Sequence, residues 1–485
     1  MKVAIVGAGI SGIATAIRLV HKKHQVVVFE SNESPGGKIS ELSFDGFRFD
    51  AGPSLFTMPG LVKELFNLFG EDPDDYFEYI ELDEICKYFY EDGTILTSHR
   101  SLEKTIQEYS QKTGEPSINI KKAFSRSSFL YKILGELFMF KSLHDVRTFL
   151  SKPAFKAYPN LFRIGFNSTM HEANSKIFKD KRLIQLFDRY ATYNGSDPYQ
   201  TPATMSIIPY LEHYKGAYFP KKGIYSITES LVNLARRQGV QFKFGSRVEE
   251  IKVISGIVKG VSVSGEFLGF DRVVSNMDIT GTYKKLMPTI PAPKKILSQP
   301  KSTSAIVFYW GVNQEVENLS LHNIFFALDY KAEFQSLFTL GKVHADPTIY
   351  LNISSKMKPD DAPTGCQNWF TMVNAPFNSG QNWDRIIDET RANVKKKLNR
   401  MLGVDLNLLI KSERILDPRL IESKTSSTDG VLYGNSSNNK FAAFLRHGNF
   451  TKKIKGLYFC GGSVHPGGGI PMVLSSAKIV ANYFR

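Results

Sequence analysis

Three glycines at positions 7, 9 and 12, set between an apolar run and a helical one, have the types and spacing to grip an anionic group. The turn Gly7-Ala8-Gly9-Ile10-Ser11-Gly12 presents backbone N–H groups at a helix start, where the helix dipole favours a phosphate. Gly7 permits the tight bend, Gly9 lets the backbone approach a pyrophosphate, and Gly12 allows close packing of helix on strand. Glu30, roughly 20 positions on and followed by Ser31, is placed to take ribose hydroxyls. A second glycine-rich stretch closes the chain, "GGSVHPGGGIPM": Gly461, Gly462 and Gly469 lead into Ile470, Pro471 and Met472, where the N–H groups of Ile470 and Met472 form another positive concavity. Two titratable residues are candidates for proton transfer. His465 sits in that closing turn, as a general base or as a brace for the glycines. Asp197, in "GSDPYQTP", is a second base candidate that reads equally as a turn aspartate before Pro198.

These residues need specific elements behind them. Lys2 to Val6 reads as a buried strand, Ile13 to His21 as a helix, and "HQVVVFE" as a second strand ending on Glu30. Strand, glycine turn, helix, strand and acidic residue together form a dinucleotide-binding context, open at this point to NAD or FAD. At the other end "IKGLYFCGG" reads as a strand into a turn, and "GIPMVLSSAKIVANYF" as a helix with proline in its first turn. The two ends are expected to build one site. Glycines at 467, 468 and 469 imply that something flat presses on the backbone.

At 485 residues the chain exceeds the size at which one core stops growing, so two units are expected. Its net charge of +14 suits an anionic partner. No zinc spacing or nucleic-acid-binding motif accompanies that charge, which argues against nucleic acid. Three scattered cysteines, Cys86, Cys366 and Cys460, indicate neither disulfides nor a metal site, and fit a reducing cytoplasm. No targeting signal is visible, nor a run of about 18 apolar residues, so any membrane contact is expected to be peripheral.

The stretch "ESNESPGGKISELSFDGFRFDAGPS" resembles the flavoprotein superfamily of two-dinucleotide-fold oxidases and desaturases, which reads PGGR and then FD-x-GP. That resemblance implies FAD, with contacts at Gly37, Lys38, Pro53, Ser54 and Leu55. Lys38 stands where the family has arginine and offers a point charge in place of a bidentate fork. More specifically, "CGGSVHPGGGIPMVLSSAKIVA", "YNGSDPYQTPATMSIIPYLE", "YFPKKGIYSITESLVNLARRQGVQF" and "DRVVSNMD" are similar to bacterial-type carotenoid desaturases along the whole chain. The family pattern implies that the backbone of Val248 meets the adenine and that Asn276 and Met277 return to the flavin. FAD is expected to be noncovalent, because Cys460 precedes the turn and has no counterpart among tethering cysteines. "GGSVHPGGGIP" looks closest to the branch that inserts the 3,4 double bond into 1-hydroxylated linear carotenoids. Phytoene desaturation, redox-neutral carotenoid isomerisation and noncatalytic carotenoid binding are the alternatives. A single dinucleotide turn implies that electrons leave to oxygen or a quinone.

The expected fold is α/β (α+β). A discontinuous Rossmann-like FAD domain takes residues 1–70, 225–280 and 440–485, and a mixed-sheet substrate domain takes 71–224 and 281–439. Between Lys121 and Arg182 thirteen Lys/Arg face four Asp/Glu, with nine phenylalanines interleaved. This part of a helical segment over 115–190 is expected to lie on an anionic membrane surface, on the cytoplasmic inner face.

Overall fold

Lys2–Val6 lies at the centre of a five-stranded parallel sheet in the order Leu457–Phe459, Arg272–Ser275, Lys2–Val6, Gln25–Phe29, Gln241–Lys243. The structure is a computed structural model describing residues 1–484. Val3, Ala4 and Ile5 are wholly buried because both faces of the sheet are covered, as the continuous apolar run requires. One face carries the helices Ile10–His21, Gly60–Asn67, Tyr225–Arg237 and Ile470–Ala481, which share a core of Ile13, Ile17, Leu65, Leu231 and Leu474. The other carries a three-stranded antiparallel sheet, Val248–Ile254, Ile257–Val263 and Glu266–Gly269, through Ala4, Ile251, Val261 and Val273. Gly12 is required for this packing, since a Cβ there would stand 2.3 Å from the Gly7 carbonyl oxygen.

A second, seven-stranded sheet runs Ile410–Leu416, Ser304–Val312, Gln367–Ala375, Ile349–Asn352, His322–Phe325, Glu84–Phe89, Ile95–His99. Every neighbouring pair is antiparallel except His322–Phe325 with Glu84–Phe89. Successive side chains of a strand face opposite ways. Ile306, Phe308 and Trp310 therefore enter a core with Trp369, Trp383 and helix Trp383–Leu402, while Ala305, Val307 and Tyr309 turn to the opposite face. All nine residues of Ser304–Val312 are buried, so both faces are in use.

Helices Leu102–Thr113, Ser117–Leu130, Glu136–Phe140 and Lys181–Asp188 cover part of the remaining surface. Ile120, Phe124, Phe178, Leu183 and Phe187 form one cluster. Phe124 and Phe178 are thus core residues rather than surface anchors. The exposed apolar side chains of the basic stretch are concentrated at Val146, Leu150, Phe155, Tyr158, Leu161 and Phe162, the last wholly exposed. Among the described residues no helix is long and apolar enough to cross a membrane. The two sheets share material across the expected boundaries: Phe47 and Phe49, of hairpin Glu41–Phe44 and Phe47–Asp50, pack on Tyr309 and Phe370 of the larger sheet.

Candidate functional site

The first and last helices meet through a hydrogen bond from Ser11 Oγ to the Val473 carbonyl oxygen at 2.7 Å. Beneath that junction opens a cavity of about 1100 Å³. Every cofactor residue expected from the sequence lines it except Ala8 and Gly12. Ala8 and Gly12 instead build the turn: Ala8 N–H donates to Glu30 Oε2 at 2.8 Å, and Gly12 packs on Gly7.

The cavity wall at this end suits a dinucleotide. The first bond inside the leading helix runs from Ile13 N–H to the Gly9 oxygen, so the N–H groups of Ile10, Ser11 and Gly12 precede the helical ladder. Gly37 passes within 3.5 Å of Gly9, measured from its ideal Cβ position, and Gly469, at φ +95°, has nothing within 4 Å of its own. Glycine at 469 thus keeps an open cradle at the start of the last helix. Glu30 lines the cavity with a carboxylate that also accepts from Asn32 N–H at 2.9 Å.

Lys38 differs from its expected role as a phosphate contact alone. Its ammonium donates to the Val431 and Leu432 oxygens at 3.0 and 2.6 Å, pinning a distant loop to the cofactor end. Burial, opposed by Asp278, pulls it down to about 8. The flat group against Gly468 is also internal, because a Cβ there would stand 2.4 Å from the Tyr433 ring.

Neither candidate base reaches the cavity wall. His465 Nε2 is hydrogen-bonded to the Lys141 oxygen at 2.8 Å, its ring stands edge-on to Phe138, and burial pushes it down to about 3. Asp197 accepts from Tyr199 N–H and Gln200 Nε2, both at 2.8 Å. Both side chains are spent on local structure.

Other residues with no local sequence signal are brought to the wall by long-range packing. Arg446 is buried beside the closing turn and donates to the oxygens of Tyr433 at 2.9 Å, Asn435 at 2.7 Å and Gly462 at 3.0 Å, with burial pulling it down to about 10. Away from the glycine turns the cavity is mostly apolar, walled by Leu134, Phe138, Ile164, Val307 and Phe370. One polar cluster interrupts it. Glu212 accepts from Tyr190 at 2.9 Å and from Tyr193, and its carboxyl is raised by burial against the pull of Arg189. Arg189 donates to Tyr88 at 3.1 Å, and Tyr350 lies 2.8 Å from His322 Nδ1 and 2.5 Å from Ser54 Oγ. Tyr158, Leu161 and Phe444 line the cavity and are also exposed, which marks its mouth.

Residues 10–483 match the family described as flavin containing amine oxidoreductase. The chain is 46% identical over 481 residues to a 1-hydroxycarotenoid 3,4-desaturase of a Flavobacterium species, covering 99% of this chain and 98% of that one. It is 30% identical to a phytoene desaturase of Fusarium fujikuroi, covering 99% and 88%. Among solved structures it resembles an oxidoreductase of Methanosarcina mazei (TM-score 0.67, 16% identity, 99% and 100% covered). It also resembles the cyclohexylamine oxidase of Brevibacterium oxydans (TM-score 0.63, 13% identity, 99% and 98% covered).

Proposed function

The chain belongs to the flavin-containing amine oxidoreductase family, and on that premise we propose that it is an FAD-dependent desaturase of linear carotenoids, acting on a 1-hydroxylated carotenoid at the 3,4 bond. The observation that carries this reading is that one continuous cavity joins a dinucleotide-gripping turn to an apolar wall and an apolar mouth. A flexible polyene offers almost nothing but hydrocarbon, so its binding must come from such a wall.

FAD, when bound, accepts the hydride that desaturation removes. Gly9, Gly37, Glu30 and Gly469 would hold it, with Val248, Met277 and Pro53–Leu55 on the same cavity wall. Lys38 and Arg446 keep the surrounding loops closed through backbone carbonyls. The apolar wall aligns the two carbons and excludes water, which lowers the entropic barrier to the transfer. The accompanying proton goes to Glu212, the buried carboxylate on the substrate stretch of the wall, whose elevated pKa makes it a competent acceptor. His465 and Asp197 have structural roles. Electrons leave to oxygen or a quinone.

The segments 1–70, 225–280 and 440–485 form the cofactor unit, and the remainder the substrate unit. Tyr158, Leu161 and Phe444 at the mouth, with exposed Leu150, Phe155 and Phe162 nearby in the chain, lie on an anionic bilayer at the cytoplasmic inner face, so that a lipid-dissolved substrate enters directly.

Anaerobic incubation with a panel of linear carotenoids tests the reading. A desaturase bleaches its flavin and yields a product with one more conjugated bond. An isomerase changes the carotenoid without bleaching the flavin, and a noncatalytic binder changes neither.

A further inference from the structure

One histidine on the apolar cavity wall has an idle ring nitrogen. His322 is 3% exposed and lines the cavity, and its Nε2 has no hydrogen-bond partner among the described residues. Its other nitrogen is fully engaged. Nδ1 lies 2.8 Å from the Tyr350 hydroxyl and 3.1 Å from Asn352 Nδ2. Asn352 Nδ2 also donates to the Leu321 oxygen at 3.0 Å, which fixes the amide so that its nitrogen, a donor, faces His322. Nδ1 is therefore an acceptor, and in a neutral ring the proton sits on Nε2. Burial and the nearby Arg189 charge keep that ring neutral. The result is a desolvated N–H donor in the polar cluster of the wall that none of its neighbours in that cluster accepts from, which is costly unless a ligand completes it.

We propose that His322 Nε2–H receives the hydroxyl oxygen of the substrate, and that this contact selects a 1-hydroxylated over an unhydroxylated chain end. The assignment rests on the desaturase reading above and adds the residue that sets its specificity. Position supports it. A hydroxyl on carbon 1 is two carbons from carbon 3, so the group that reads it must stand close to the reacting bond, not at the far end of the cavity. His322 meets that condition through Tyr350, whose hydroxyl is 2.5 Å from Ser54 Oγ in the Pro53–Leu55 segment proposed above to stand on the cofactor's wall. Antiparallel pairing of His322 with Asn352 sets the ring in register with both partners. Arg189, also buried and on the wall, has an unpartnered Nε and no carboxylate within ion-pairing distance among the described residues, and it lends a second donor to the same region. Tyr309, Tyr330 and Asn194 also line the cavity with unpartnered polar atoms, but none is hydrogen-bonded to residues 53–55.

The test measures affinity of the FAD-loaded enzyme for two dead-end ligands in detergent: a 1-hydroxylated carotenoid that already carries the 3,4 double bond, and its hydroxyl-free counterpart. Wild type should bind the hydroxylated ligand roughly 10- to 100-fold more tightly, the scale of one buried hydrogen bond lost or left unmade. That ratio should fall close to one in His322→Leu, recover in part in His322→Gln, and shrink in Tyr350→Phe, which frees the ring. Flavin content and melting temperature report folding in each variant. A wild-type ratio within twofold of one overturns the assignment. So does a ratio kept by His322→Leu or Tyr350→Phe, or one abolished by Tyr309→Phe instead. Turnover is read separately. Failure of wild type to desaturate any 1-hydroxylated carotenoid sinks the desaturase reading, while the binding ratio still decides the role of His322.

Discussion

Asn276 Oδ1 stands 2.6 Å from the point where a Cβ on Gly9 would lie. The amide cannot simply turn away, because its Nδ2 donates to the Cys460 oxygen at 3.2 Å and so ties the strand Arg272–Ser275 to the closing turn. Gly9→Val should therefore displace Asn276 as well as fill the phosphate approach, and abolish FAD retention. The ratio of flavin to protein absorbance after purification measures this. Normal flavin content in a folded Gly9→Val protein would remove the cofactor assignment of the first turn.

Much of the cofactor end was legible in the sequence, for a physical reason. Glycine turns and parallel strands are local constraints, written in contiguous residues such as 2–12 and 461–472. What the glycines touch was less legible. Gly468 accommodates the Tyr433 ring, and Lys38 grips carbonyls nearly 400 positions away, so each meaning depends on partners remote in sequence. The substrate wall was hidden for the same reason. His322, Tyr350 and Ser54 converge only through the register of the seven-stranded sheet and its hairpin neighbour, and alternation within each strand cannot show which face becomes a cavity. His465 stayed open between base and brace because proximity to a glycine turn says nothing about where the imidazole points; its bond to the Lys141 oxygen fits a brace.

FAD should be held noncovalently. Cys460 is buried off the cavity with its thiol pushed up to about 11, so it supplies no thiolate for a flavin bond. His465 has its Nε2 committed to the Lys141 oxygen. Acid or heat precipitation should release all of the yellow colour into the supernatant. Flavin left in the pellet after exhaustive denaturation would contradict this.

Glu212→Gln should lower kcat by roughly 100-fold or more, the scale of a lost proton acceptor, with a smaller change in KM. The amide keeps the volume and an acceptor for Tyr190, so flavin content should hold. Equal losses in both parameters, or none, would reassign the proton. Asp197→Asn supplies the contrast: since Asp197 does not line the cavity and accepts from Tyr199 and Gln200, its effect should appear in melting temperature.

Stability should fall steeply on the acid side of neutrality. His213, His322 and His465 are held near 3 and His447 near 4, each chiefly by burial. Their unfolded values lie near 6.5, so between about pH 6.5 and 3 the unfolded chain binds more protons than the native one, and stability drops as pH falls through that window. By pH 5 each such histidine costs about 2 kcal/mol relative to pH 7. The total is comparable with the whole stability of a typical domain. Glu212 and Glu333, raised by burial, act in the opposite direction at lower pH and offset part of the loss. Melting temperature followed from pH 7.5 to 5 checks this, and a flat profile would mean that the histidines are already charged in the native state.

The mouth should bind anionic bilayers through a smaller surface than the whole basic stretch. Phe162 is wholly exposed and Phe155 61% exposed, beside exposed Lys152, Lys156 and Arg163. Inserting one phenylalanine contributes roughly 2 kcal/mol, and each cation near an anionic surface about 1 kcal/mol. Arg126, by contrast, is half-buried and donates to the Ile164 oxygen at 3.2 Å, so changing it would disturb packing. Wild type should sediment with anionic liposomes, less so in high salt as the Debye length shortens. Lys152→Glu, Lys156→Glu and Arg163→Glu combined with Phe162→Ser should abolish both sedimentation and turnover of liposomal substrate. Turnover of detergent-dispersed substrate should persist, since these four side chains do not line the cavity. If wild type failed to bind anionic liposomes even at low salt, the apolar rim would need another occupant.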